Sequence, residues 1–155
     1  MGKSTGKFRH ILVATDGTRL AARACRRAIE LAKAEGATLT AFHAIPAYVP
    51  LDAIDPMMPM ALPYATVDQT RATKRHAQAM LDKVAEEAKA AGVECDTASA
   101  QGEVPWRAIL AAAKKHRCDL IVMASHGRSG IDKLLLGSET SRVLTHAKLP
   151  VLVCR

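Results

Sequence analysis

Apolar residues along this chain fall into short unbroken runs, separated by stretches in which they recur every third or fourth position. His10-Ile-Leu-Val-Ala14 is one such run. It ends at Thr15-Asp16-Gly17 and predicts a strand buried on both faces. From Thr18, a residue suited to capping a helix, Leu20, Ala21, Ala24, Ala28, Leu31 and Ala32 keep helical spacing until Gly36 stops the pattern. Ala37 to Ala44 predicts a second strand. A helix restarting at Thr66 carries Ala77, Met80, Leu81, Val84, Ala88 and Ala91 on one face as far as Gly92. Val93 to Ala100 is a third strand, more polar and so expected at a sheet edge. Pro105 suits the first turn of a third helix, with Trp106, Ile109, Leu110 and Ala113 facing inward. Asp119 to Ala124 is a clear fourth strand, Ser138 is placed to cap a fourth helix holding Val143 and Leu144, and Pro150 to Cys154 is a closing strand.

The resulting order βαβαβαβαβ predicts a single α/β domain spanning 1–155, a doubly wound five-stranded parallel sheet with about four helices. Parallel neighbours need crossover connections, and right-handed crossovers place helices on both faces. The expected strand order is 3-2-1-4-5, with the flavodoxin-like 2-1-3-4-5 as the alternative. In either, the chain reverses direction beside the first strand, and ligands in such folds sit at that switch point off the carboxyl ends of the strands. The loops after Ala14, Ala44 and Ala124 are therefore where function is expected.

Two segments stand outside this rhythm. Residues 1–8 are polar and basic and read as a disordered leader. Residues 46–65 contain Pro46, Pro50, Pro56, Pro59 and Pro63 together with Met57, Met58 and Met60, which excludes a helix or a central strand and predicts a flap. The methionines read as packing rather than as a metal site, because divalent ions rarely take thioethers alone. No apolar run approaches the roughly 20 residues needed to cross a bilayer, and the start has no signal-peptide core. The expected location is the cytoplasm. Cys25, Cys95, Cys118 and Cys154 form no C-x-x-C pair and are expected to be buried free thiols. The net charge of +7 admits an anionic partner without naming it, and the chain's five aromatic residues argue against single-stranded nucleic acid.

The loop after the fourth strand carries the chemistry. Nine residues lie between Gly127 and Gly137, Gly130 among them. Glycines let backbone N–H groups come close to phosphate oxygens, and Gly137-Ser138 presents the start of a helix, whose open amides and dipole favour an anion. Arg128 and Ser129 add a charge and a donor. His43 and His126 stand beside strand ends, where a structural imidazole is at least as good a reading as a reactive one.

This loop resembles the nucleotide-binding signature of the universal stress protein family: a glycine, two residues, a glycine, nine residues, a glycine, then Ser or Thr. Gly127, Gly137 and Ser138 match at those intervals, and Ala124 takes the place of the first glycine, one methyl group larger. Ile11 to Gly17, Phe42 to Ile45, Gly102 to Pro105 and Pro150 to Arg155 are also similar to family segments. The resemblance implies ATP with Mg²⁺ as ligand. Asp16 would accept hydrogen bonds from the ribose hydroxyls, and Ala44 and Met123 would wall the adenine. Gly127, Arg128, Ser129, Gly137, Ser138 and Glu139 would hold the phosphates, chiefly through backbone N–H groups, with the Ser138 hydroxyl a candidate for phosphate or Mg²⁺, and Thr15, Ala124 and Thr140 would complete the nucleotide-binding residues. It further implies a homodimer paired through Val151, Leu152 and Val153 and a role in stress response or signalling.

The expected function is thus a nucleotide-dependent binding module. No dedicated catalytic base is evident in the sequence. Slow hydrolysis, self-phosphorylation at Ser138 or nucleotidyl transfer in the same crevice is the enzymatic alternative, and a nucleotide-free interaction protein is the other.

Overall fold

A computed structural model describes residues 8–46, 49–50, 64–65, 67–127 and 135–155. The main sheet is built from β1 (His10–Ala14), β2 (Thr38–Ile45), β5 (Cys95–Gln101), β6 (Leu120–Ala124) and β7 (Val151–Cys154), all parallel and ordered β5-β2-β1-β6-β7. Counting these five strands in chain order, this is the expected 3-2-1-4-5. The polar β5 lies at one edge and β7 at the other. Two residues of β3 (Val49–Pro50) pair with two of β4 (Tyr64–Ala65) in a separate parallel ribbon; the rest of the expected flap between them, and most of the expected leader, lie outside the described residues. Phe8 packs against the core, and its N–H donates to Glu35 at 3.2 Å.

Helices α1 (Arg19–Glu35) and α2 (Val67–Ala90) cover one face of the sheet; α3 (Pro105–Lys115) and α4 (Ser138–His146) cover the other. The two cores follow from strand alternation. Ile11, Val13, Leu39, Ala41 and Val122 pack with Ala24, Ala28 and Ala32 of α1 and Leu81 and Ala88 of α2. Leu12, Phe42, Ile121 and Met123 point the other way, against Ile109, Ala112 and Val143. Small residues on α1 let it lie close to the sheet, so β1 is enclosed on both faces.

The caps of α1 match the expectation: the Thr18 hydroxyl accepts from the Ala21 N–H at 3.2 Å, and Gly36 ends the helix at φ 67°, a left-handed conformation natural to glycine. At α4 the expected start moves by one residue. Gly137 occupies the cap position with no side chain to offer, and Ser138 is the first helical residue.

Only one of the four cysteines meets the expectation of a buried thiol. Cys25 is buried, whereas Cys95 at the start of edge strand β5, Cys118 in the turn before β6 and Cys154 at the end of edge strand β7 are partly exposed. Burial pushes the Cys25 thiol up to about 11, which keeps it protonated and unreactive at neutral pH. Among the described residues no helix is long and apolar enough to cross a membrane.

Candidate functional site

A cleft of about 540 Å³ opens at the carboxyl ends of the strands, where β1 and β6 lie side by side and the chain reverses direction. Three parts of the chain meet there. The turn after β1 contributes Thr15 and Asp16, the end of β2 contributes Phe42, His43 and Ala44, and the segment from β6 into α4 contributes Met123, Ala124, His126, Gly127, Gly137, Ser138, Glu139 and Thr140. Every expected site residue that is described therefore lines one cavity. Arg128 and Ser129 lie outside the described residues.

The turn after β1 is braced by its own polar atoms. Thr15 N–H donates to the Phe42 carbonyl at 2.9 Å, and its hydroxyl accepts from the Gly17 N–H at 3.2 Å. Asp16 Oδ1 accepts from both the N–H and the hydroxyl of Thr18, at 3.0 and 2.6 Å. This Asx-type turn holds the carboxylate at the mouth of the cleft. Its other oxygen faces Gly127: a Cβ placed on that glycine would stand 2.5 Å from Asp16 Oδ2. Any side chain at 127 must push the carboxylate aside.

Gly137 is required by a different closeness. A Cβ there would lie 3.0 Å from the His126 Cα and 3.4 Å from the Ser125 carbonyl oxygen, a backbone contact that cannot swing away. The Gly137 N–H donates to that Ser125 carbonyl at 2.7 Å, which changes the expectation that this amide serves a phosphate. Its hydrogen bond is already made, and its work is to seat α4 against β6. Thr140 supports the same joint, its hydroxyl donating to the Ala124 carbonyl at 2.9 Å. Ala124 is the last residue of β6 and has no positive φ, so its methyl group brings no backbone strain.

Glu139 likewise has a partner that the local sequence does not announce. Its Oε2 accepts from the Trp106 N–H at 2.8 Å, the first N–H of α3 after Pro105. The cap position of α3 is Val104, which has no side-chain bond to give, so a carboxylate from α4 serves instead. One oxygen of the Glu139 carboxylate is thus committed to α3, and the other lies 3.9 Å from the Arg142 guanidinium. The amino terminus of α4 itself has no side-chain cap. The first amides of the helix, at Ser138, Glu139 and Thr140, have no intrahelical acceptor and stand at the cleft.

The remaining lining was not marked by sequence reasoning. Pro105 and Ile109 come from α3, and Leu135 and Leu136 rim the mouth, Leu135 at 69% exposure. Ile109 follows helical spacing like any core residue, so its place in the cleft had no local signal. For the α3 residues, the available clue was that a helix following an edge strand and crossing back over the first must begin at the carboxyl end of the sheet.

The chain belongs to the universal stress protein family, whose family model matches residues 7–155. A universal stress protein of Thermus aquaticus is 37% identical over 152 residues, covering 96% of this chain and 99% of the relative. Universal stress protein YxiE of Bacillus subtilis is 33% identical over 150 residues, with coverage of 96% and 99%. A universal stress protein solved in complex with cAMP matches with a TM-score of 0.69 at 26% identity, covering 96% of this chain and 97% of that one.

Proposed function

We propose that this chain is a nucleotide-dependent module that binds ATP with Mg²⁺ in the cleft, the phosphates at the amino terminus of α4 and the nucleoside toward β1 and β2. The observation that carries the reading is that the Asp16 carboxylate, set against Gly127, and the open first turn of α4 line one and the same cleft. A carboxylate accepts from ribose hydroxyls, and free helix amides take phosphate oxygens, so the two ends of one nucleotide find opposite chemistry in one cavity. Ala44, Met123 and Ile109 supply an apolar slot for the base between them. The cAMP complex of a relative supports an adenine nucleotide as the class of ligand. Mg²⁺ takes oxygen donors and keeps most of its ligands as phosphate and water. In this reading it rides on the phosphates, with the Ser138 hydroxyl as its protein contact.

The test is calorimetric titration of the purified protein with ATP and Mg²⁺, beside the Gly127→Val variant. The variant displaces the Asp16 carboxylate and so loses charge-assisted hydrogen bonds, which is expected to weaken ATP at least about tenfold. A folded wild-type protein that takes up no ATP would end the nucleotide reading.

The same reading includes a homodimer along β7. That edge strand exposes Leu152 at 41% next to the half-buried Val151 and Val153, and an apolar sheet edge of this kind is a template for pairing with a second copy. Light scattering is expected to give twice the chain mass for the wild type and the chain mass for Leu152→Lys. A monomeric wild type removes the dimer from the proposal.

A further inference from the structure

The ring of His43 lines the cleft at the carboxyl end of β2 and is only 8% exposed. Its Nδ1 stands 2.7 Å from the Thr15 carbonyl oxygen. A carbonyl only accepts, so Nδ1 carries the proton, and in the neutral ring Nε2 is left as an acceptor. The carbonyl cannot turn away, because the Thr15 N–H is tied to Phe42 and its hydroxyl to Gly17. Among the described residues Nε2 has no hydrogen-bond partner, and none of their side-chain nitrogens or oxygens is both sealed from solvent and unpartnered. Nε2 is therefore open to the cleft that the ring lines.

We infer that His43 is a specificity residue: its Nε2 accepts a hydrogen bond from a donor on the nucleoside half of the ligand. The inference rests on the nucleotide reading of the cleft. His43 is bonded to the residue preceding Asp16 and stands on the β1–β2 wall, so a ligand with its phosphates at α4 turns its sugar and base toward this ring. An adenine nucleoside offers three donors there, the 2′ and 3′ ribose hydroxyls and the exocyclic amine. A largely buried acceptor selects against an analogue lacking the donor, because it is then left unpaired away from bulk water.

The experiment titrates wild type and His43→Asn with ATP, 2′-deoxyATP, 3′-deoxyATP and ITP. Asparagine keeps a donor at the Nδ1 position, and with it the bond to Thr15, but has no atom at Nε2. Wild type is expected to bind one analogue about three- to tenfold more weakly than ATP, while His43→Asn binds ATP and that analogue alike and melts close to wild type. Weakened 2′-deoxyATP or 3′-deoxyATP assigns the corresponding ribose hydroxyl, and weakened ITP the amine. Equal binding of all four by wild type, or discrimination that survives in His43→Asn, overturns the assignment alone; no binding of ATP by folded wild type overturns the nucleotide reading with it. If the variant fails to fold, the ¹⁵N shift of Nε2 in the wild type decides: a change on adding ATP supports the assignment, and none refutes it.

Discussion

Along β1 and β2 the cleft is held by side chains, whereas across the switch point it is held by backbone. On the first wall Asp16, Thr18, Thr15 and His43 bond to one another and to nearby main chain, each through an atom that a conservative substitution keeps or removes. On the second wall the Gly137 N–H meets the Ser125 carbonyl, and the space a Cβ would need at 137 is filled by the backbone of His126. A side-chain wall yields in graded steps, because a displaced side chain can take another rotamer. A backbone wall yields only if a whole helix moves.

The largest effect tests that contrast directly. Gly137→Val is expected to destabilise the fold by about 1–3 kcal/mol, the usual range for overpacking, and to abolish ATP uptake by moving the first turn of α4. An unchanged melting temperature would mean that α4 slides freely on β6 and that this wall is soft. Gly127→Val sharpens the comparison from the other side, since the atom it meets is the end of a half-buried carboxylate. Its loss is expected in affinity with little change in melting, and equal losses of stability in the two glycine variants would erase the distinction between the walls. The smallest effect is that of Glu139→Ala, which removes the cap of α3 at a cost of about 1 kcal/mol, or about 3 °C in a chain of this size. ATP affinity should stay the same or rise slightly, because the side chain is engaged by Trp106 and its negative charge leaves the phosphate end. A large loss of affinity in this variant would assign the carboxylate to the ligand instead.

Much of this was legible in the chain. The closing of α1 by Thr18 and Gly36, the edge position of the polar β5 and the convergence of the loops after Ala14, Ala44 and Ala124 all follow from spacing and residue type. The partners of individual groups in the site were not. Nothing near Gly137 indicates that its amide is taken by Ser125, and nothing near Glu139 points to the start of α3, whose own cap residue, Val104, cannot do the work. For His43 residue type leaves a structural and a reactive reading open; its Nδ1 is structural, while the opposite nitrogen is left for the cleft. The partly exposed Cys95, Cys118 and Cys154 show the same limit, since residue type favours burial but the place of each residue at the ends and edges of the sheet sets it.

By itself the sequence determined the elements, their parallel arrangement and the end of the sheet at which a ligand would bind, because periodicity, caps and crossover handedness depend on near neighbours and on general chain geometry. Only the tertiary structure decided which amides of the loop stay open, which carboxylate faces the cavity and which is turned to a neighbouring helix. Those outcomes depend on how closely α4 seats against β6 and α3, and that distance is set by contacts between residues far apart in the chain.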